Sequence, residues 1–430
     1  MKQVIIVAPQ FPPCNLAAVH RSRLFATHLP KFGWQVRVLS VASEYYEEPL
    51  DQELEELLPE DLDIIRTHAL RSKPIRLIGD IGLRALWWHY RELRRLIRES
   101  SVDMVYLPIP PNYSSILGPL LYRAHGIPYT VDYIDPWVHP WPECEVAFSR
   151  AWLAYHCGRL LEPIVLKRAS LVTAVAPGYY EGALVRNPFV DRSRCMAMPY
   201  GAEGADFSFL DEHPRPPTLF DPNDGNRHIV YAGAMLPRAY STLEALLNAI
   251  RYARDCDPVS ASRLRVHFIG TGSVPSDPTS YMVKPLIDNA GLSETVREYP
   301  VRIRYLDVLN HLKHAHAILV LGSSEPHYTP SKVFQAVLSK RPVLGLLHSE
   351  STGCAILREA NAGRVITFNE SEPVSGRVPL IAEALLDIVA DKSGYSPRRV
   401  NWQAFQGYSA EAMAEKLAMA FDDVLSRAGN

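Results

Sequence analysis

The sequence predicts an α/β protein of two domains, each built on a parallel β-sheet. Short apolar runs alternate with helix-like patterns along the whole chain, which is typical of buried parallel strands joined by helices. The chain has 430 residues, which is more than one ordinary hydrophobic core accommodates. A stretch rich in proline, glycine and aspartate near 200–226 interrupts the alternation, so we expect the two domains to join there.

Strands are expected where a short apolar run is bounded by turn-forming residues. In the first domain they fall near 3–8, 35–40, 103–107, 128–132, 170–175 and 195–199. In the second domain they fall near 228–232, 264–269, 316–321, 342–347 and 363–367. The opening run VIIV is too short for a signal peptide or a membrane span, so we interpret it as the first strand.

The expected domain boundaries follow from these strands. Residues 1–200 form an amino-terminal Rossmann-like domain, and 201–226 form an interdomain linker. Residues 227–400 form a second Rossmann-like domain. Residues 401–430 form a final helix, because the segment from Ala404 to Leu425 is amphipathic, and such a helix can pack back on the first domain.

Charge and cysteine content narrow the functional classes. A net charge of −2 and a pI near 6.7 give no global attraction to nucleic acid. Six cysteines lack metal-ligand spacing, so we expect them to be reduced, buried as small apolar residues, in a cytoplasmic protein. His311, His314 and His316 lie close together, but no carboxylate or cysteine completes a ligand set, so no metal site is expected.

The segment from Thr329 to Gly345, TPSKVFQAVLSKRPVLG, carries the most informative functional signal. It predicts a loop, a helix start and a buried strand, with Ser331 at or beside the N-cap. Free N–H groups and the helix dipole at such a start attract anions, of which phosphate is the usual one, and Lys332 adds a cation there. An ordinary helix cap with a solvated lysine is the alternative interpretation.

Several segments, taken in order, resemble glycosyltransferase family 4, a large retaining family on the GT-B fold. VIIVAPQFPP, the following helix and GWQVRV resemble the family's first strand, loop, helix and second strand, and TVDYIDPW resembles a segment after its middle strand. LVTAVAPGYYEGAL and MPYGAEGADF resemble the segments before the crossover between domains. IVYAGAML, VHFIGTGS and the Lys332 segment then follow as in the second domain. The resemblance implies two Rossmann-like domains whose parallel sheets face each other across a cleft.

The resemblance also implies an activity. It indicates a hexosyltransferase-type enzyme that moves a sugar from a nucleoside-diphosphate sugar to an acceptor hydroxyl, with retention and without a metal or other cofactor. The acceptor stays open between a glycan, a lipid-linked molecule and a small molecule. A GT-B nucleotide-sugar epimerase and a catalytically silent nucleotide-sugar-binding subunit are the alternatives. A dehydrogenase is set aside, because the loop after the first strand lacks G-x-G-x-x-G.

The donor nucleotide sugar is expected at the carboxyl edge of the second sheet. The residues expected to contact it are Gly233, Arg238, Gly270, Gly272, Arg302, Ile303, Ser331, Lys332 and Gln335. Lys332 and Arg238 are also candidates for catalysis, because cations stabilise a departing diphosphate. The family carries two glutamates where this chain has His327 and Gln335; the amide of Gln335 can hydrogen-bond to a ribose but has no charge.

The acceptor is expected at the carboxyl edge of the first sheet. Asp135, just after a strand, is the candidate to accept the proton of the acceptor hydroxyl or to orient the acceptor. Asp132 competes for this role, and a carboxylate that merely caps the turn before a proline is the structural alternative. Asn15, His20 and Arg21 are expected on the acceptor side. Asn15 lies in the loop PCNLAA, which lacks the family's Gly-Gly pair. His20 and Arg21 follow this loop and could reach phosphate or the acceptor, with a solvent-facing helix position as the alternative.

A basic helix is predicted at 83–98. An apolar stripe at helical spacing should face the core, and it consists of Leu83, Leu86, Tyr90, Leu93 and Ile97. A second face carries Arg84, Trp88, Arg91, Arg95 and Arg98. Arginines beside a tryptophan suit an anionic membrane surface, so residues 84–98 predict peripheral contact with the inner face of a membrane, with a solvated helix face as the alternative.

Overall fold

The computed structural model describes residues 1–72, 79–138, 142–326, 328 and 330–428. It divides the chain into two compact units, of which the first comprises Met1–Gly201 together with Ala410–Asn430. The second unit comprises Ala202–Ser409. Within the described ranges, no helix combines the length and the apolar character that a membrane span requires.

Parallel strands alternate with helices in both units. The strands are β1 Lys2–Val7, β2 Trp34–Val41, β3 Asp63–Thr67, β4 Met104–Ile109, β5 Tyr129–Tyr133, β6 Leu171–Ala174, β7 Cys195–Ala197, β8 Arg227–Ala232, β9 Leu264–Ile269, β10 Val296–Tyr299, β11 Ala317–Leu321, β12 Val343–His348 and β13 Gly363–Phe368. The helices are α1 Ala17–His28, α2 Ile81–Glu99, α3 Leu117–His125, α4 Arg150–Leu166, α5 Pro177–Arg186, α6 Gly204–Glu212, α7 Tyr240–Cys256, α8 Pro258–Ala261, α9 Lys284–Asn289, α10 Tyr305–His314, α11 Lys332–Leu338, α12 Thr352–Glu359, α13 Val378–Val389, α14 Trp402–Gln406 and α15 Ala410–Ala428.

The sheet of the first unit has the strand order β3-β2-β1-β4-β5-β6-β7, with parallel pairing. One core lies between the sheet and helices α2 to α5, and a second core lies between the sheet and helices α1 and α15. Phe421 of α15 packs edge-on against Trp34 of β2, with 5.1 Å between ring centroids. The strand order reverses between β1 and β4, so the carboxyl ends of these strands open a crevice of the kind that binds ligands.

The sheet of the second unit has the order β10-β9-β8-β11-β12-β13, also with parallel pairing. Its order reverses between β8 and β11. Ile229 and Phe268 of the central strands and Leu246 of α7 belong to one continuous apolar core. This rigid core fixes the loops at the carboxyl ends of β8, β9, β10 and β11.

Apolar runs located all but two of the strands that the structure describes. Each expected strand is present near its expected position, whereas β3 and β10 were not expected. Both missed strands lie at the edge of a sheet and carry charged residues, DIIRT in β3 and VREY in β10. Edge strands tolerate such charges, which hide the apolar run that marks a buried strand.

The residues expected to link the domains, 201–226, include the helix α6. Phe207 and Leu210 of α6 are buried, and the carboxylate of Asp206 accepts a hydrogen bond from the Tyr305 hydroxyl at 2.7 Å. The Glu203 side chain caps the helix start by accepting from the backbone N–H of Ala205. This part of the range is therefore folded and packed within the second unit.

The basic face expected on α2 is partly wrong. Arg84 is buried, and its guanidinium binds Glu47 at 2.7 Å and the carbonyl oxygen of Leu70 at 2.7 Å. Arg95 is exposed, but it pairs with both Glu92 and Glu99 on its own helix.

The outward-facing residues of α2 differ from the expected ones in two respects. Trp88 is half-buried, and the exposed aromatic side chain is its neighbour Trp87. Arg91, Arg94 and Arg98 are exposed, so Arg94 takes the place on the outward surface that the spacing assigned to Arg84.

The expectation that all six cysteines are buried is also wrong. Cys14 and Cys354 are buried, whereas Cys157 and Cys256 are exposed. The two exposed thiols lie on outward positions of α4 and at the end of α7. Their placement follows from the helical register, which composition alone does not reveal.

Candidate functional site

The carboxyl ends of β10, β9, β8 and β11 lie side by side in the second unit. The loops that leave them are hydrogen-bonded to neighbouring strands. The N–H of Gly233, after β8, donates to the carbonyl of Ile269 at the end of β9, at 2.8 Å. The N–H of Gly270, after β9, donates to the carbonyl of Tyr299 at the end of β10, at 2.8 Å. The structure therefore brings the expected donor residues to one edge of one sheet.

Lys332, the first residue of α11, lies over the end of β8. Its Nζ is 3.3 Å from the Tyr231 hydroxyl and 4.9 Å from the centre of the Tyr231 ring. Gly233 has a φ of +126°, and a Cβ at this position would stand 2.0 Å from Cε of Lys332. A larger residue here would force the end of the lysine chain to shift, so glycine suits this position, where the ammonium group lies at the carboxyl edge of the sheet.

The start of α11 differs from the expected anion-binding cap. The helix has seven residues, and the Ser331 side chain makes no capping hydrogen bond. So short a helix carries only a small dipole, which leaves the ammonium group of Lys332 as the main positive charge there. Gln335 is half-buried one turn further along the same helix. His327, where the family has a glutamate, lies outside the described residues.

Arg238 follows β8 and forms an ion pair with Glu325, which follows β11. The Nη1 of Arg238 is 2.5 Å from Oε1 of Glu325, and the side chains are 42% and 30% exposed. The N–H of Ser324 also donates to the Arg238 carbonyl at 3.0 Å. The Arg238 guanidinium is therefore partly exposed to solvent and is paired with a carboxylate.

The turn of Gly270, Thr271 and Gly272 packs tightly on its neighbours. A Cβ on Gly272 would stand 2.8 Å from the carbonyl oxygen of Pro300. The Thr271 hydroxyl donates to Oε1 of Glu298 on β10 at 2.6 Å. The glycines here allow close approach of backbone to backbone, and Glu298 fixes the turn.

Arg302 and Ile303 follow β10, and both are half-buried. The Cα of Arg302 lies 3.8 Å from the place of a Cβ on Gly270. Its N–H donates to the carbonyl of Pro275 at 2.9 Å. The backbone at 302 therefore runs directly beside the Gly270 turn.

Sequence reasoning missed three residues of this edge. Tyr231 supports Lys332, Glu325 pairs with Arg238, and Glu298 accepts from Thr271 and from the backbone N–H groups of residues 282, 283 and 284. A tyrosine at the end of an apolar strand is a usable signal, since its buried hydroxyl needs a partner. The two glutamates gave no local signal, because their partners are distant in the sequence.

Arg21 and Asp132 form a fully buried ion pair in the first unit. The guanidinium binds both carboxylate oxygens, at 2.6 and 2.9 Å, and donates to the Pro199 carbonyl at 2.9 Å. Thr173 donates to the same carboxylate. Both charged side chains have 0% exposure. The expectation that Arg21 lies on the acceptor side is therefore wrong, and Asp132 is likewise unavailable to an acceptor.

Asp135 lies at the carboxyl end of β5 and is exposed to solvent. Desolvation by surrounding protein nonetheless raises the pKa of its carboxyl group to about 6. Its N–H continues the sheet by donating to the Ile109 carbonyl at 3.3 Å. An accessible carboxylate with a pKa near neutrality has the properties of a general base.

Asn15 and His20 lie between β1 and the first turns of α1, at the same edge of the first sheet. The Nε2 of His20 is 3.1 Å from Oδ1 of Asn15, and the Asn15 amide also approaches Asp51 at 3.4 Å. The imidazole is half-buried. The structure therefore joins these two candidates to each other, and it places both at the edge that carries Asp135.

The three neighbouring histidines use their ring nitrogens in hydrogen bonds. Nε2 of His311 accepts from the backbone N–H groups of Thr218 and Leu219, both at 3.1 Å. His314 lies against the carbonyl of residue 310, and His316 accepts from the N–H of residue 228. Across the described ranges, no group of three His, Cys, Asp or Glu is arranged to hold a metal ion.

Each unit is built on a Rossmann-like parallel sheet with loops at its carboxyl edge, the place where α/β proteins bind ligands. Residues 18–201 match the family model of the glycosyl transferase 4-like domain. This match spans nearly all of the continuous part of the first unit, so that unit resembles a glycosyl transferase 4-like domain. The chain is accordingly a glycosyltransferase, in agreement with the family resemblance of its sequence motifs. No curated protein matches the chain.

Solved structures similar to the chain share its GT-B fold over nearly the full length. A glycosyltransferase from Rickettsia africae has 14% identity and a TM-score of 0.60, covering 99% of this chain and 98% of its own. HepE of Anabaena, solved with UDP and glucose, has 13% identity and a TM-score of 0.62, covering 98% and 100%. Sucrose-phosphate synthase of Thermosynechococcus elongatus has 13% identity and a TM-score of 0.61, covering 99% and 100%. The predicted GT-B fold class is confirmed.

Proposed function

We propose that this protein transfers a sugar from a nucleoside-diphosphate sugar to an acceptor hydroxyl. The observation that carries the proposal is the ammonium group of Lys332, held over Gly233 at the carboxyl edge of the second sheet. The complex of HepE with UDP and glucose supports a uridine-diphosphate sugar as the first donor to test. The acceptor, in this proposal, binds at the edge of the first sheet that carries Asp135.

The proposed chemistry assigns separate roles to the two edges. As the bond from the sugar to the diphosphate breaks, negative charge grows on the leaving group, and Lys332 and Arg238 stabilise that charge. Arg238 must exchange part of its pairing with Glu325 for the diphosphate. Asp135 accepts the proton of the acceptor hydroxyl or orients the acceptor. Retention of configuration, and transfer without a metal, come from the family resemblance and belong to the same proposal.

The remaining expected donor contacts fit this arrangement. The turn of Gly270 and Gly272 and the backbone at Arg302 and Ile303 form one wall, because their hydrogen bonds hold them together. Ser331 directly precedes Lys332, and Gln335 lies one turn further along α11. We propose that the uncharged Gln335 amide contacts the ribose, which makes nucleotide binding less dependent on charge at this point.

Nucleotide titration tests the donor site. Lys332→Ala should weaken UDP binding, measured by isothermal titration calorimetry, by roughly ten- to a hundredfold, which is about 1.5–3 kcal/mol for a lost charged contact. Lys392→Ala is the matched control, since Lys392 is an exposed cation of the same unit outside this edge. Unchanged affinity in Lys332→Ala would remove the basis of the proposal.

Diphosphate release tests the reaction type. With a donor panel and mixed acceptors, a transferase releases nucleoside diphosphate in proportion to the acceptor added. An epimerase instead interconverts the sugar without releasing diphosphate, and a silent binding subunit does neither. The glycosyl transferase 4-like match of the first unit favours the first outcome.

The peripheral membrane contact that we propose for residues 84–98 rests on a different set of residues from the one expected from the sequence. Arg84 cannot take part, because it is buried against Glu47. The exposed members are Trp87 and the arginines Arg91, Arg94 and Arg98. They place a modest positive surface on the outer side of α2, which attracts anionic lipid only weakly by itself.

A further inference from the structure

The outer face of α4 carries an apolar stripe in contact with solvent. Leu160 and Ile164 are 70% and 53% exposed, and Leu153 and Cys157 are exposed on the preceding turns. At 100° per residue, these four positions fall within about 60° of one another around the helix. The opposite face of the helix is already occupied, because Val165 and other inner residues pack into the first core. The stripe is therefore additional to the surface that α4 needs for folding.

Aromatic side chains extend the stripe beyond the start of α4. Phe148 is 82% exposed, and its ring centroid is 5.2 Å from that of the half-buried Trp152. Trp152 in turn contacts the exposed His156 in a tilted arrangement, with ring centroids 4.0 Å apart. Val146, just before them, is 63% exposed. An exposed cluster of this composition costs free energy in water unless a partner covers it.

Positive charges flank the stripe. The exposed basic residues of the segment 150–168 are Arg150, Arg159, Lys167 and Arg168. Glu162, the one acid in the same segment of sequence, is buried and binds Arg186 through both carboxylate oxygens at 2.9 Å. The outward face of α4 is thus basic without an exposed carboxylate of its own, although the whole chain has a net charge of −2. Its complement is a surface that is apolar and anionic at once.

We propose that α4 docks in the plane of an anionic lipid bilayer. Leu153, Leu160 and Ile164 enter the boundary between headgroups and acyl chains, and the flanking arginines and lysine contact lipid phosphates. Helix α2 packs on the same core as α4, so it lies on the same side of the sheet, and its exposed arginines add positive charge to that side.

The placement of α4 connects the membrane to the acceptor site. The chain enters α4 from the loop that follows β5 and Asp135. Since a helix that returns along a parallel sheet begins at the carboxyl edge, the aromatic end of α4 lies at the edge that carries Asp135. Docking would therefore present a lipid-linked acceptor to that edge. This last step rests on the proposed function, whereas the docking itself does not.

Vesicle sedimentation tests the docking. The full chain should sediment at low salt with vesicles of phosphatidylcholine and phosphatidylglycerol, and much less with pure phosphatidylcholine. Leu160→Ser combined with Ile164→Ser should reduce the bound fraction at least tenfold, as should Arg150→Ser combined with Lys167→Ser and Arg168→Ser. Val259→Ser combined with Met419→Ser is the matched control, since both side chains are exposed apolar residues outside this face, at 79% and 67%.

Circular dichroism and UDP titration of each variant separate docking from folding and from donor binding. Equal binding to neutral and anionic vesicles, or unchanged binding of the α4 variants, would overturn the proposal. So would a dimer in size-exclusion chromatography that the Leu160→Ser/Ile164→Ser variant abolishes, because a second copy would then cover the stripe. Failure of docking with intact UDP binding would leave the proposed transferase standing. If the wild-type protein does not bind UDP, the proposed donor site is refuted, and the docking result is unaffected.

Discussion

At the scale of single residues, the contact between Gly233 and Lys332 is the most demanding feature of the donor edge. Gly233→Ala should displace the lysine chain, because the added Cβ would stand 2.0 Å from Cε of Lys332. The positive φ of 126° adds backbone strain. We expect UDP affinity to fall roughly tenfold, about 1.4 kcal/mol, while the far-ultraviolet circular dichroism is preserved. Calorimetric titration measures the first quantity.

Gly376→Ala is the control for this substitution, since a Cβ there would meet nothing within 4 Å. It should bind UDP as the wild type does. If Gly233→Ala also binds UDP normally, the lysine has room to move, and its precise position over β8 is not required for nucleotide binding.

Asp135 gives the reaction an expected pH dependence. Its carboxyl pKa is raised to about 6 by desolvation, and only the ionised form accepts a proton. The rate of transfer at low acceptor concentration should therefore fall as the pH drops through 6 and level off above 7. Asp135→Asn should bind UDP normally, transfer slowly, and lose this acidic limb. A wild-type pH profile in Asp135→Asn would exclude the residue as the base.

At the scale of elements, the pair of Arg21 and Asp132 joins α1 to β5. Asp132→Asn should leave the buried guanidinium without a counter-charge, and breaking a buried pair in this way costs about 3–5 kcal/mol. Urea unfolding of the first unit should show this loss. Asp61→Asn is the matched control, because Asp61 is an exposed carboxylate of the same unit outside this pair, and it should unfold near the wild-type midpoint. Equal midpoints would contradict the buried assignment.

The same elements show what the sequence could and could not predict. Buried strands such as β4 and β12 were predictable, because their apolar runs reflect burial on both faces. The grouping of Gly233, Gly270 and Lys332 was predictable too, since the carboxyl ends of parallel strands share one edge. The burial of Arg21 was not, because its partners lie 111 and 178 positions away. Local patterns carry no information about such distant pairings.

At the scale of the whole molecule, buried neutral histidines make the fold sensitive to acid. Desolvation lowers the pKa of His89 in the first unit to about 4 and that of His267 in the second unit to about 3. The pKa of histidine in an unfolded chain is about 6.5. Between pH 6.5 and about pH 4, these imidazoles therefore bind protons in the unfolded chain but stay neutral in the folded chain. Stability is therefore full above 6.5 and declines as the pH falls. Asp135, with its raised pKa, opposes this trend in part.

Urea unfolding at pH 7.5 and at pH 5.0 measures the effect. The folded chain should lose about 2 kcal/mol for each such histidine across this interval. The decline should appear in both units, since each contains one of the two imidazoles. Identical unfolding free energies at the two pH values would show that these histidines become solvated before they titrate.

The return of α15 to the first unit has a consequence for biosynthesis. Trp34 leaves the ribosome hundreds of residues before Phe421, which completes the core around it. The second unit is continuous, so it can finish folding while the first still lacks its last helix. A fragment ending at Gly201 should therefore bind the dye ANS and resist refolding, and a separate peptide of residues 410–428 should reverse both properties. The earliest-made part of this protein is, on this view, the last to mature.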